Sequence, residues 1–335
     1  MVKENHPPLQ KINELASQYR ETIILLTAVR ENLFDLFQVE TYLTAETVSR
    51  KLRWTLHGTR ILLNALCSLG ILKKKEENYT LCRGCSEILE GRGFPLLKAR
   101  LLHQWRLMNR WMQLPQILRG FSLNDLEKFA GQEQDVEEFS LAMAFGEQAA
   151  VAELLSRVQF PPSGKFLDWG GGPGLFAVRV AEHYPEVDSY ILDRPEVEPV
   201  ARRFIQKSPA AKRIHFIAGD FFATNPGQNF QAVLLSNIIH IYTEEENLQL
   251  LNKIRDCLKP GGTLYVRDFF LNADLTGPRS AALFSVNMLV NTDGGRSYSA
   301  EEVRRWLKQT GFKYKRRYRL HGPADVILAV KPLKG

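Results

Sequence analysis

Lys165-Phe166-Leu167-Asp168-Trp169-Gly170-Gly171-Gly172-Pro173-Gly174 carries an apolar run into a glycine-rich turn, and helical periodicity follows from Leu175. Glycines in such a turn adopt positive φ and let a ligand approach the backbone closely. A dinucleotide loop of the form Gly-x-Gly-x-x-Gly would need a glycine at 175 or 177, where Leu175 and Ala177 stand. A phosphate loop would close on Gly-Lys-Ser/Thr, which this stretch lacks. The turn therefore suits a ligand without a phosphate.

Outward from the loop, the acidic residues sharpen that reading. Asp168 stands two residues before the first glycine, and Asp193 closes the next apolar run, Ser189-Tyr190-Ile191-Leu192-Asp193. A carboxylate at that strand end can accept two hydrogen bonds from a ribose diol. Gly219-Asp220-Phe221 follows the third run, Ile214 to Ile217, and offers a carboxylate and an aromatic ring for an adenine. A lone aspartate at a strand end is as readily a loop cap. Three of them at successive strand ends around one glycine loop point to a cationic nucleoside, S-adenosylmethionine (SAM).

Further runs, Ala232 to Leu235 and Gly262 to Val266, alternate with helical stretches. Such alternation specifies a parallel sheet with helices on both faces, an α/β doubly wound Rossmann-like fold. The texture changes at Pro161-Pro162-Ser163-Gly164, so the expected domains are residues 1–155 and 156–335. The first half reads as helix after helix. Thr44 is an expected helix cap before Ala45-Glu46-Thr47-Val48, and a second helix spans Thr59 to Leu66. Ile71 to Lys73 and Asn78 to Leu81 follow as two short strands, which completes a winged-helix pattern.

Composition bounds the remaining possibilities. A chain of 335 residues, 44% hydrophobic and 24% charged, is an ordinary globular protein long enough for two cores. No run approaches the ~20 apolar residues of a membrane span, and the start lacks a secretory signal, so the expected compartment is the cytoplasm. Net charge is +7, of which residues 161–335 hold +6. Much of that sits in Lys313-Tyr314-Lys315-Arg316-Arg317-Tyr318-Arg319, an expected edge strand that basic residues guard. Cys82-x-x-Cys85 without a second pair is weak evidence for zinc, and no metal is expected.

These motifs, with Leu235-Ser236-Asn237-Ile238-Ile239-His240, Leu258-Lys259-Pro260-Gly261-Gly262 and Gly294-Gly295-Arg296, stand in the order of one known family. The chain resembles the class I SAM-dependent O-methyltransferases of the caffeic acid and acetylserotonin type, including bacterial members acting on small hydroxylated metabolites. The resemblance covers nearly the whole chain and implies an N-terminal winged-helix dimerisation domain, hence a homodimer. It places cofactor contacts on Gly170, Asp193, Asp220 and Phe221, beside Asp168, Gly172 and Gly219 from the loop reading. A further contact, a Lys or Arg in most members, falls on Ser236. The general base falls on His240 and its first flanking carboxylate on Asp268. The second flanking carboxylate falls on Ser297, which has none, and Ile241 and Tyr242 replace the Asp and Trp that follow the plant histidine.

His240 fits the role by position as well, just beyond an apolar strand, where open α/β sheets bind ligands. Imidazole titrates near neutrality and can take a hydroxyl proton as a methyl group transfers. The expected acceptor pocket draws on Trp105, Met108, Phe139 and Met143, apolar residues at helical spacing, and on Phe284, Asn287 and Met288. Two other functions compete: the same fold acting on a thiol, thioether, nitrogen, carbon or carboxylate, and a winged-helix DNA-binding regulator with a vestigial SAM domain. The candidate recognition helix from Thr59 has Arg60 as its only basic residue, which disfavours nucleic acid as a partner.

Overall fold

A computed structural model describes residues 7–89, 91, 93–122 and 136–333. Two compact units divide at Arg106/Leu107, within the helix Phe94–Trp111. By contacts, the helix Val136–Arg157 therefore groups with the sheet that follows it, whereas the sequence reading groups it with residues 1–155.

The first unit builds helices around a small sheet. Thr44 caps the helix Ala45–Leu52, its hydroxyl accepting from Thr47 N. Thr55 caps the next helix by accepting from Gly58 N, so that helix begins at Leu56, three residues before the expected Thr59. Strands β1 (Leu43–Thr44), β2 (Leu72–Lys75) and β3 (Asn78–Leu81) pair antiparallel in the order β1-β3-β2. Leu63, Leu66, Leu72 and Tyr79 bury the seam between helix and wing.

The second unit holds a seven-stranded sheet: β4 (Ser163–Trp169), β5 (Glu186–Asp193), β6 (Ile214–Ala218), β7 (Phe230–Ser236), β8 (Leu258–Asp268), β9 (Lys313–Tyr318) and β10 (Asp325–Val330). Their order is β6-β5-β4-β7-β8-β10-β9. The first five run parallel, and β10 is antiparallel to both neighbours. The basic strand β9 is an edge, as its lysines and arginines imply. β10 escapes the sequence reading because it follows β9 with no helix between them.

Alternation of side chains splits this core between two faces. Phe166, Ile191, Leu234 and Tyr265 pack with the helices Val136–Arg157, Leu175–His183 and Glu198–Gln206. Leu167, Leu192, Val233, Leu235 and Val266 pack on the opposite face with the helices Glu244–Cys257 and Ala300–Gln309. Capping boxes start both of the latter, Thr243 with Glu246 and Ser299 with Glu302. Among the described residues, no helix is long and apolar enough to cross a membrane.

Candidate active site

Parallel strands bring the ends of β4, β5, β6, β7 and β8 to one edge of the sheet, and the candidate polar residues gather there. Gly170 has φ +76°, and a Cβ on it would lie 2.4 Å from Ile238 Cδ1. Glycine thus lets the loop after β4 settle against the segment after β7. Asp193 fastens the same loop from its own strand end: Gly172 N donates to its Oδ2 and Arg194 N to its Oδ1, both at 2.7 Å. Burial nevertheless raises the Asp193 pKa, with these two bonds opposing. Gly219 N donates to Asp193 O, and Asp220 Oδ1 caps the following turn by accepting from Phe222 N and Ala223 N. Phe221 lies against Gly170, its ring 3.1 Å from where a Cβ would stand.

Asp168 is 1% exposed, and its Oδ2 has no hydrogen-bond partner among the described residues. Burial pushes its carboxyl up to about 8, with Asp193 adding like-charge repulsion. A buried carboxylate with one oxygen unpartnered beside a glycine loop fits a cationic group such as the ammonium of SAM. Asp168 favours folding below the ordinary carboxylate range, and this contribution is lost as pH rises through about 8. Asp168→Asn should therefore gain thermal stability relative to the parent between pH 6 and pH 9 while binding SAM more weakly. Melting curves whose separation does not grow with pH would refute the assignment.

His240 lies in the short 3-10 turn Ile239–Ile241 after β7 and is 5% exposed. Its Nδ1 is 2.7 Å from Asp268 Oδ1, which also accepts from Phe269 N at 2.7 Å. With Nδ1 donating to the carboxylate, Nε2 keeps its lone pair. Phe284 meets the imidazole edge-on at 4.7 Å and stacks on Phe269 at 4.1 Å. Gly295 backs the histidine closely, since a Cβ there would lie 2.3 Å from His240 O. Ser297 is buried, its hydroxyl donating to Ala281 O in the helix Arg279–Leu289, so it anchors that helix. Tyr242 contacts Phe222 edge-on, and burial pushes its hydroxyl up to about 12.

The expected acceptor residues divide. Phe284 touches His240, and Asn287 Oδ1 accepts from Trp111 Nε1 at 3.0 Å. Met288 is buried on the same helix, and Phe139 and Met143 are half-buried one turn apart on Val136–Arg157. Met108 is half-buried in the second unit, whereas Trp105 belongs to the first and lies under the Arg30 guanidinium at 4.8 Å.

Two charged residues here lie outside the sequence-derived set. Arg267, 5% exposed in β8, donates from Nη1 to Ser236 Oγ at 3.0 Å and pairs with Glu147 Oε2 at 3.0 Å. Glu147 also accepts from Asn237 Nδ2 at 2.5 Å. Both carry a signal in the sequence. Arg267 interrupts the apolar run Leu264-Tyr265-Val266, and Glu147 continues the Phe139, Met143 spacing on a face that buries Val151.

Residues 116–313 match the family model described as an O-methyltransferase domain, and residues 13–91 match the O-methyltransferase dimerisation domain. The chain is 27% identical to the tetracenomycin polyketide synthesis 8-O-methyl transferase TcmO of Streptomyces glaucescens, over 96% of each chain. It is 26% identical to a probable bifunctional dTTP/UTP pyrophosphatase/methyltransferase protein of Homo sapiens. That match covers 98% of this chain but 55% of the human protein's length. The fold is shared with human N-acetylserotonin methyltransferase solved in complex with SAM, at a TM-score of 0.84 and 24% identity, covering 99% of this chain and 100% of that one.

Proposed function

The chain belongs to the O-methyltransferase family, a SAM-dependent family acting on small molecules, and from that premise we propose that it methylates a hydroxyl of a small, aromatic metabolite with His240 as general base. The observation that carries this reading is the buried His240–Asp268 pair beside the stacked Phe269 and Phe284 rings. When bound, SAM supplies an electrophilic methyl group on a cationic sulfur. Asp193 would hold the ribose hydroxyls, since each of its oxygens keeps a lone pair beyond its backbone bond. Asp168 would receive the ammonium, and Asp220 with Phe221 would flank the adenine. Asp268 holds the imidazole with Nε2 available, and Nε2 takes the hydroxyl proton as the acceptor oxygen attacks. Phe284, Phe269 and Met288 give the acceptor an apolar wall that excludes water.

A thiol or carboxylate acceptor is the second reading, favoured by Ser297, which leaves His240 with one flanking carboxylate instead of two. Incubation with SAM and a panel of hydroxylated aromatics and small thiols separates the two readings. Release of S-adenosylhomocysteine (SAH) with phenols, at a rate that depends on His240, supports oxygen. Turnover confined to thiols supports sulfur.

The assembly we propose is a homodimer through the region matched to the dimerisation domain, where Leu15, Tyr19 and Ile61 leave apolar side chains exposed. A monomer in sedimentation at micromolar concentration would contradict it.

A further inference from the structure

Side-chain alternation places Asp168, Asp193, Ser236 and Arg267 on the sheet face covered by the helix Val136–Arg157, because Phe166, Ile191, Leu234 and Tyr265, each two residues earlier, pack there. Ser236 and Arg267 are register partners on adjacent strands. Glu147 descends from the covering helix, pairs with Arg267 and reaches close enough to Asp168 to raise its pKa. Glu147 thus pairs with the one buried guanidinium on this face, where Asp168 and Asp193 are also buried. The guanidinium is itself underpaired, with Nε buried and without a partner among the described residues. Asn237, bonded to Glu147, leads within three residues to His240. The cluster therefore spans the interval between the residues assigned to the cofactor and the proposed base.

SAM and SAH differ by one methyl group and one positive charge on sulfur, so a site that contacts both alike still separates them by its local potential. We propose that the Arg267–Glu147 pair sets the discrimination between SAM and SAH: the Glu147 carboxylate favours the cationic sulfur and Arg267 limits that preference. This rests on the SAM-site reading above. The charge of Arg267 answers Ser236 directly. The serine hydroxyl accepts from a guanidinium supplied by the neighbouring strand, and the basic group stands one strand away from position 236.

The quantity to measure is the ratio Kd(SAH)/Kd(SAM), by calorimetry on the full-length protein. A structural loss common to both ligands cancels in this ratio. Removing one unit charge ~10 Å from the sulfur, at an effective dielectric of ~20, shifts the ratio about 15-fold. Glu147→Gln should lower the ratio by that factor, and Arg267→Met should raise it. The double variant Glu147→Gln/Arg267→Met restores the charge balance and should return the ratio to near the parent value. Arg267→Gln, which removes the charge but keeps an amide donor for Ser236, serves if Arg267→Met leaves Glu147 buried alone and fails to fold, and it should raise the ratio likewise. Shifts in these opposite directions support the proposal. Equal weakening of both ligands in every variant, with the ratio unmoved, overturns it. Failure of the parent protein to bind either ligand overturns the SAM-site reading instead.

Discussion

His240→Ala should lower turnover on a neutral hydroxyl acceptor about 10²- to 10⁴-fold, the usual contribution of general base catalysis, while SAM affinity stays nearly unchanged. The separation follows from the architecture. His240 and Asp268 approach from the ends of β7 and β8, and the proposed cofactor residues Asp168 and Asp193 come from β4 and β5. The imidazole edge lies against Phe284, so alanine leaves a space at the acceptor wall and not under the glycine loop. An acceptor whose hydroxyl or thiol is already ionised should be largely insensitive to the substitution. Full activity of His240→Ala on a neutral hydroxyl would make the histidine structural and return the acceptor question to sulfur or carboxylate.

Asp193→Ala should weaken SAM binding about 10- to 150-fold, from the ~1.5–3 kcal/mol carried by hydrogen bonds to a charged group. The structure pushes the expected loss toward the upper end. Asp193 also accepts from Gly172 N, so alanine loosens the glycine loop as well as removing the ribose partner. Asp193→Asn separates the two contributions, since its amide oxygen can keep one backbone bond. Calorimetry that finds unchanged SAM affinity in Asp193→Ala would remove this residue from the cofactor site.

The fold was legible where local chemistry and burial agree. Asp168 to Gly174 reads as strand, turn and helix because the apolar run, the glycines and the helical spacing meet within ten residues. Thr44 reads as a cap because its hydroxyl has a local partner three residues on. The next helix starts earlier than its apolar spacing from Thr59 implies, because Thr55 caps it by accepting from Gly58 N. β10 escapes the sequence reading because it follows β9 directly and pairs antiparallel, outside the strand-and-helix alternation that marks the parallel strands.

In the candidate site, His240 and Asp268 could be named from their strand ends, and the structure brings them within hydrogen-bond distance. The 28-residue separation between them conceals that bond in the sequence. Arg267 and Glu147 show why a substitution read alone misleads. Ser236 looks like a lost charge, and the charge is found only when β8 is laid beside β7. Ser297 is the converse case, for its hydroxyl is used by the backbone of a helix start.

In the mechanism we propose, SAM bound at the β4–β7 edge gives its methyl group to an oxygen deprotonated by His240. Its most direct test is the product formed from isotopically labelled SAM and an active hydroxylated aromatic acceptor, analysed by nuclear magnetic resonance. The predicted result is a labelled methyl resonance of an aryl ether, formed by the parent protein and lost with His240→Ala. A label found on sulfur, nitrogen or carbon, or an ether formed equally well without His240, would contradict it.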